Sequence, residues 1–117
     1  MSIIKTHIKP KSDIYKSNFE YHASLALELD SKLTEIKKMG PPKRVDKQRS
    51  RGKLTARERI EDLIAPKSYF LEFSAFAGHK VYEDNLPAAG IITGIIRVHG
   101  RQSVVVANDA TVKGGTY

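Results

Sequence analysis

Two stretches of this chain carry residue types that could do chemistry. The first is Lys113-Gly114-Gly115-Thr116, launched from the apolar run 103–107. Adjacent glycines let backbone N–H groups come close to an anion or a carbonyl, and a lysine beside them adds positive charge. The order Gly, four residues, Gly-Lys-Ser/Thr that defines a nucleotide-cradling P-loop is absent. A simple turn explains the segment equally well. The second stretch runs from Lys37 to Arg59, where ten basic residues face only Asp46 and Glu58. It carries +8 against a whole-chain charge of +7, so the remaining residues sum to −1. A cluster of this kind can neutralise several phosphates. It lacks the aromatic residues that single-strand nucleic-acid binding uses for base stacking, and it has neither zinc-finger spacing nor a helix-turn-helix pattern. A solvated linker is the simpler reading. If it does meet phosphate, a nucleotide-containing cofactor suits it as well as a nucleic acid.

Other chemistry is thin. The four histidines (His7, His22, His79 and His99) have no metal-ligand spacing and read as arm, helix surface, loop and turn. No serine stands with a histidine and a carboxylate in a pattern that marks a nucleophile. The chain has no cysteine, which excludes disulfides and thiolate chemistry and suits a reducing compartment. No apolar run approaches the eighteen or so residues that span a bilayer. The N-terminus lacks the apolar core of a secretory signal. The first forty residues hold no arginine and five acids, unlike a mitochondrial presequence. A bacterial cytoplasmic protein is the simplest expectation.

The elements that must position these residues follow from periodicity and punctuation. Residues 1–16 read as an extended arm. Ser17 is a candidate cap for a helix over 18–39, where Phe19, Ala26, Leu29, Leu33 and Ile36 share a face, and Gly40-Pro41-Pro42 ends it. That face needs an apolar partner, expected in further sequence or another subunit. Residues 43–53 read as a linker or a basic helix. Thr55-Ala-Arg-Glu58 is a capping box for a short helix ending near Ala65. A short strand is expected over 69–75, a loop over 76–88 and a strand over 89–98 interrupted by Gly90 and Gly94. Glycine within a strand marks a bulge or a second backbone passing close. His99-Gly100 suits a two-residue hairpin turn, and the continuous apolar run 103–107 predicts a strand buried on both faces. Three strands and two helices do not close a core, and the sheet keeps open edges.

With these residues in view, the chain resembles a known family. Arg51-Gly-Lys-Leu-Thr-Ala-Arg-Glu-Arg-Ile60 looks like the opening of the carboxyltransferase (beta) subunits of biotin-dependent acyl-CoA carboxylases. Pro87-Ala-Ala-Gly-Ile-Ile-Thr-Gly-Ile95 and Val106-Ala-Asn-Asp-Ala-Thr-Val-Lys-Gly-Gly-Thr-Tyr117 resemble the 3-methylcrotonyl-CoA branch, with geranyl-CoA carboxylases sharing much of the pattern. Ile96 departs from it, standing where the family usually has glycine. The family's subunit runs to several hundred residues, so the chain reads as its N-terminal fragment, with 17–117 the beginning of the N-terminal carboxyltransferase domain.

The resemblance implies an α/β fold of the crotonase/ClpP-like kind, a superhelix of β-β-α units. It implies carboxyl transfer from carboxybiotin, carried by a biotin carboxylase/biotin carrier alpha subunit, to 3-methylcrotonyl-CoA in leucine degradation. Catalysis in the family is largely electrostatic, through backbone N–H groups that stabilise the thioester enolate and the biotin oxyanion. That agrees with the lack of a side-chain nucleophile; the resemblance assigns no catalytic residue to this segment and implies that the fragment is inactive alone. Ala107, Asn108, Ala110, Lys113 and Gly114 are the implied acyl-CoA-binding residues, and Arg51 and Lys53 could serve the CoA phosphates. Implied partners are the alpha subunit and further beta subunits, with no membrane. Two other functions stay open at this stage: a small basic nucleic-acid-binding module around 37–59, and an assembly piece docking on full-length subunits through the Phe19–Ile36 face.

Overall fold

The capping box fixes the first local structure. The Thr55 hydroxyl accepts from the Glu58 N–H at 3.3 Å, and the Thr55 N–H donates to Glu58 Oε2 at 2.6 Å. The computed structural model describes residues 3–83 and 85–115, and in it this box opens a helix over Ala56–Leu63. Two helices precede it, so the described order is α1 (Asp13–Lys37), α2 (Pro42–Ser50), α3 (Ala56–Leu63), then strands β1 (Leu71–Phe73), β2 (Ile91–Val98) and β3 (Arg101–Asn108).

The chain divides into two units, 1–32 and 33–117. Within the first, α1 begins earlier than the expected residue 18. Ser12 rather than Ser17 caps it, its hydroxyl accepting from the Tyr15 N–H at 3.2 Å. Tyr15 stacks on Phe19 with ring centroids 6.3 Å apart, and Lys32 pairs with Glu28. Phe19 and Leu29 on the expected apolar face are exposed.

Within the second unit, the last turn of α1 stops at Lys37, two residues before the expected end. Met39 turns left-handed at φ 61, and the chain passes through Gly40-Pro41 into α2. Residues 43–53 are thus mostly helix rather than linker. Pro42 sits in the first turn, where its missing N–H costs nothing, and Lys, Arg and Gln are good helix formers. α2 is the addition to the two helices expected outright, and α3 ends at Leu63 rather than near Ala65.

The sheet order is β1-β2-β3, antiparallel throughout. β1 is shorter than the expected 69–75, with Ser74 turning to φ 51 just after it. β2 starts at Ile91 rather than residue 89, because Ala88, Ala89 and Gly90 all take positive φ. Gly90 therefore precedes the strand instead of interrupting it. Gly94 does lie within it, and β1 crosses so close that a Cβ there would sit 2.3 Å from the Leu71 carbonyl oxygen. His99 and Gly100, at φ 47 and 81, make the two-residue turn that pairs Val98 with Arg101.

Ile92, Ile96, Ile60, Ala56, Met39, Ala88 and Val112 form the core, flanked by Ile64, Phe70, Val105 and Ala107. Ile96, at the position where glycine was the expected family residue, is one of its best-buried members. The expectation that 103–107 is buried on both faces is corrected here. Val105 and Ala107 face the core, whereas Val104 and Val106 are 73% and 66% exposed. β3 alternates because the described core covers one face of the sheet only.

An ion pair ties α2 to α3. Arg49 donates through Nε and Nη2 to Glu58 Oε1 at 3.0 and 2.7 Å, joining α2 to α3. Hydrogen bonds from the Thr55 N–H first, then from Arg49, then from the Thr55 side chain, hold the Glu58 carboxyl below its ordinary pKa. A depressed folded-state value means that this stabilisation is present above the unfolded pKa, about 4.3, and is lost as pH falls through the folded value. Acid titration followed by amide exchange at the start of α3 is expected to show fraying in that window. Glu58→Gln should remove the pH dependence of that fraying.

Candidate functional site: a cationic cleft

Beyond β3 the chain turns sharply. Lys113, Gly114 and Gly115 take φ 43, 76 and 77, and a Cβ on Gly114 would meet open space. Glycine is there for its backbone conformation, not for packing. This loop forms one wall of a cleft of about 670 Å³ lined by Ala110, Lys113, Gly114, Arg44, Lys47, Gln48 and Arg51. The other wall is α2. Arg44, Lys47 and Arg51 stand at spacings of three and four, which places them on one helical face. Four cations thus line the cleft, and no carboxylate does among the described residues.

The structure brings together three of the five expected binding residues, Ala110, Lys113 and Gly114, and adds Arg51 to them. Ala107 and Asn108 lie outside the cleft on β3, Ala107 turned to the core. Lys53 is not among the lining residues. Arg44 and Lys47 do not stand out from the basic run by type, although their spacing with Arg51 is helical. A larger cavity of about 820 Å³ opens on the opposite face of α2, beside Val45, Asp46 and Arg49. It is lined by acids and bases together and lacks the single-sign field that selects an anion. Among the described residues, no group of three His, Cys, Asp or Glu is placed to hold a metal ion. No described helix is long and apolar enough to cross a membrane.

An α/β scaffold whose strand-borne loop faces a row of helical cations is an anion-binding arrangement, suited to a phosphorylated ligand. The chain belongs to the carboxyl transferase domain family, whose model matches residues 47–117. It is 44% identical over 117 residues to the mitochondrial methylcrotonoyl-CoA carboxylase beta chain of Arabidopsis thaliana, covering 100% of this chain and 20% of the relative. Among solved structures it is similar to the beta subunit of P. aeruginosa geranyl-CoA carboxylase, with TM-score 0.75 and 29% identity over 97% of this chain and 21% of that one. It is also similar to transcarboxylase 12S with methylmalonyl-coenzyme A and methylmalonic acid bound, with TM-score 0.73 and 35% identity over 80% of this chain and 19% of that one. The expected crotonase-like fold is therefore the fold of this chain's structural neighbours. The chain spans about a fifth of the length of the curated relatives it matches.

Proposed function

We propose that residues 17–117 are the beginning of the carboxyltransferase domain of a 3-methylcrotonyl-CoA carboxylase, and that the cleft holds the phosphates of the acyl-CoA. The observation that carries this reading is the meeting of Arg44, Lys47 and Arg51 with Lys113 around a glycine turn. Charge-assisted hydrogen bonds from guanidinium and ammonium groups to phosphate are among the strongest that proteins make. These cations neutralise the phosphates and orient the rest of the substrate. Biotin, carried by a partner alpha subunit, supplies the carboxyl group, and further beta subunits complete the assembly. The described cleft has no feature selective for a biotin ring, so no biotin contact is assigned to it.

Isothermal titration with CoA tests the reading. Lys113→Ala and Arg51→Ala are each expected to weaken binding about tenfold, the equivalent of one charge-assisted hydrogen bond, with wild-type affinity falling as salt rises. Unchanged affinity in both variants, or a tight salt-steep complex with DNA or RNA in place of CoA binding, overturns it. Mixed with carboxybiotin and 3-methylcrotonyl-CoA, the 117 residues alone are expected to transfer no carboxyl group. Product detected by mass spectrometry would contradict that.

A further inference from the structure

The two walls of the cleft are joined at one buried point. The Gly40 N–H, two residues before α2, donates to Thr111 Oγ1 at 3.1 Å. The Thr111 hydroxyl in turn donates to Asp109 Oδ1 at 2.6 Å, and the Thr111 N–H donates to the same oxygen at 2.7 Å. Asp109 and Thr111 are 1% and 2% exposed. The Asp109 N–H is fixed to the Gly90 carbonyl at 2.8 Å, and the Asp109 carbonyl accepts from the Val112 N–H at 3.0 Å. A Cβ on Gly40 would lie 2.2 Å from the Thr111 carbonyl oxygen, so the helix entry and the loop are in direct backbone contact. Asp109 Oδ2 is buried with no hydrogen-bond partner among the described residues.

Such a cluster is a costly way to fill a core. A buried carboxylate satisfied at one oxygen destabilises relative to an apolar residue of the same shape. Its consequence is geometric: it fixes the start of α2, which bears Arg44 and Lys47 and ends at the capping residue Arg51, against the loop bearing Lys113 and Gly114. We infer that Thr111 and Asp109 are positioning residues that set the spacing between the two cationic walls, with Gly40 as the contact they grip. The inference rests on the reading of the cleft as a CoA-phosphate site. A ligand bearing several phosphates engages both walls at once only when that spacing is held.

The test pairs Thr111→Val, which keeps the shape and deletes the hydroxyl, with Thr111→Ser, which restores it. CoA affinity is measured by calorimetry at a temperature where both variants keep wild-type circular dichroism. Thr111→Val is expected to weaken CoA binding about tenfold and Thr111→Ser less than threefold. Wild-type affinity in Thr111→Val while Lys113→Ala still weakens binding overturns the clamp and leaves the cleft. Wild-type affinity in both overturns the cleft, and the clamp's role with it. Equal weakening in valine and serine variants also overturns the clamp, since the hydroxyl is then not what matters. If Thr111→Val does not fold, amide exchange in the wild type decides. CoA should slow exchange at Gly40 and Thr111, because a ligand that needs the clamped state stabilises it. Unaltered exchange there, with ligand-dependent shifts at Lys113 and Gly114, contradicts the inference.

Discussion

Arg57→Ala is expected to destabilise the chain by about 3–5 kcal/mol, the loss typical of breaking a buried ion pair from one side. Arg57 on α3 donates through Nη1 and Nη2 to Glu72 on β1 at 3.0 and 2.7 Å, a two-pronged pair. The two side chains are 16% and 11% exposed, so water cannot take over for the lost partner. Arg57 Nη2 also reaches Met39 Sδ at 3.7 Å, while its Nε has no partner among the described residues. Most of the loss therefore comes from the stranded Glu72 carboxylate rather than from the net worth of the pair. Against a total stability of about 5–15 kcal/mol for an ordinary domain, the variant should be marginal at room temperature. Urea unfolding gives the value. The double variant Arg57→Met with Glu72→Leu should recover most of it, because apolar replacement removes both desolvation costs. A single-variant loss below about 1 kcal/mol would mean that the pair is solvated.

The second large effect is expected at Gly94. Glu72 pairs with Gly94 across the β1–β2 ladder. A Cβ at residue 94 would stand 2.3 Å from both the Leu71 carbonyl oxygen and Phe70 Cε2, and 3.0 Å from the Glu72 Cα. Two of those atoms are backbone and cannot rotate away. Gly94→Val should cost about 3 kcal/mol, at the upper end of overpacking, and should lift β1 off the sheet. Hydrogen exchange would then show lost protection at 71–73, while the β2–β3 hairpin stays protected around its turn. A variant with wild-type protection along β1 would show that the strand shifts sideways at little cost.

Where a short-range rule decides the structure, the residues announced it. The Thr55–Glu58 box, the His99-Gly100 turn and the glycine that admits a neighbouring strand are each legible within a few positions. Ser12 and Ser17 are equally good cap residues by type, so residue type alone does not place the start of α1. Residues 43–53 were ambiguous because charge density hides a helical face until Arg44, Lys47 and Arg51 are set three and four apart. The valine run in β3 suggested burial on both faces, whereas the described core reaches only one. Val104 and Val106, with Leu71 and Phe73 on the same side of the sheet, leave an apolar face uncovered.

The candidate site divides in the same way. Lys113 and Gly114 stood out by type and Arg51 by motif. Asp109 and Thr111 did not, because their role depends on Gly40, 71 residues away from Thr111 in sequence. No local pattern encodes a contact of that range.

The central claim is that the cleft between α2 and the loop after β3 receives the phosphates of CoA. The most direct measurement is an NMR titration of the chain with CoA, following the backbone amides. The account predicts saturable shifts at Ala110, Lys113 and Gly114 together with Arg44, Lys47 and Arg51, weakening as salt rises. Shifts gathered instead around Val45, Arg49 and Thr55 in the larger cavity, or none at millimolar CoA, would contradict it.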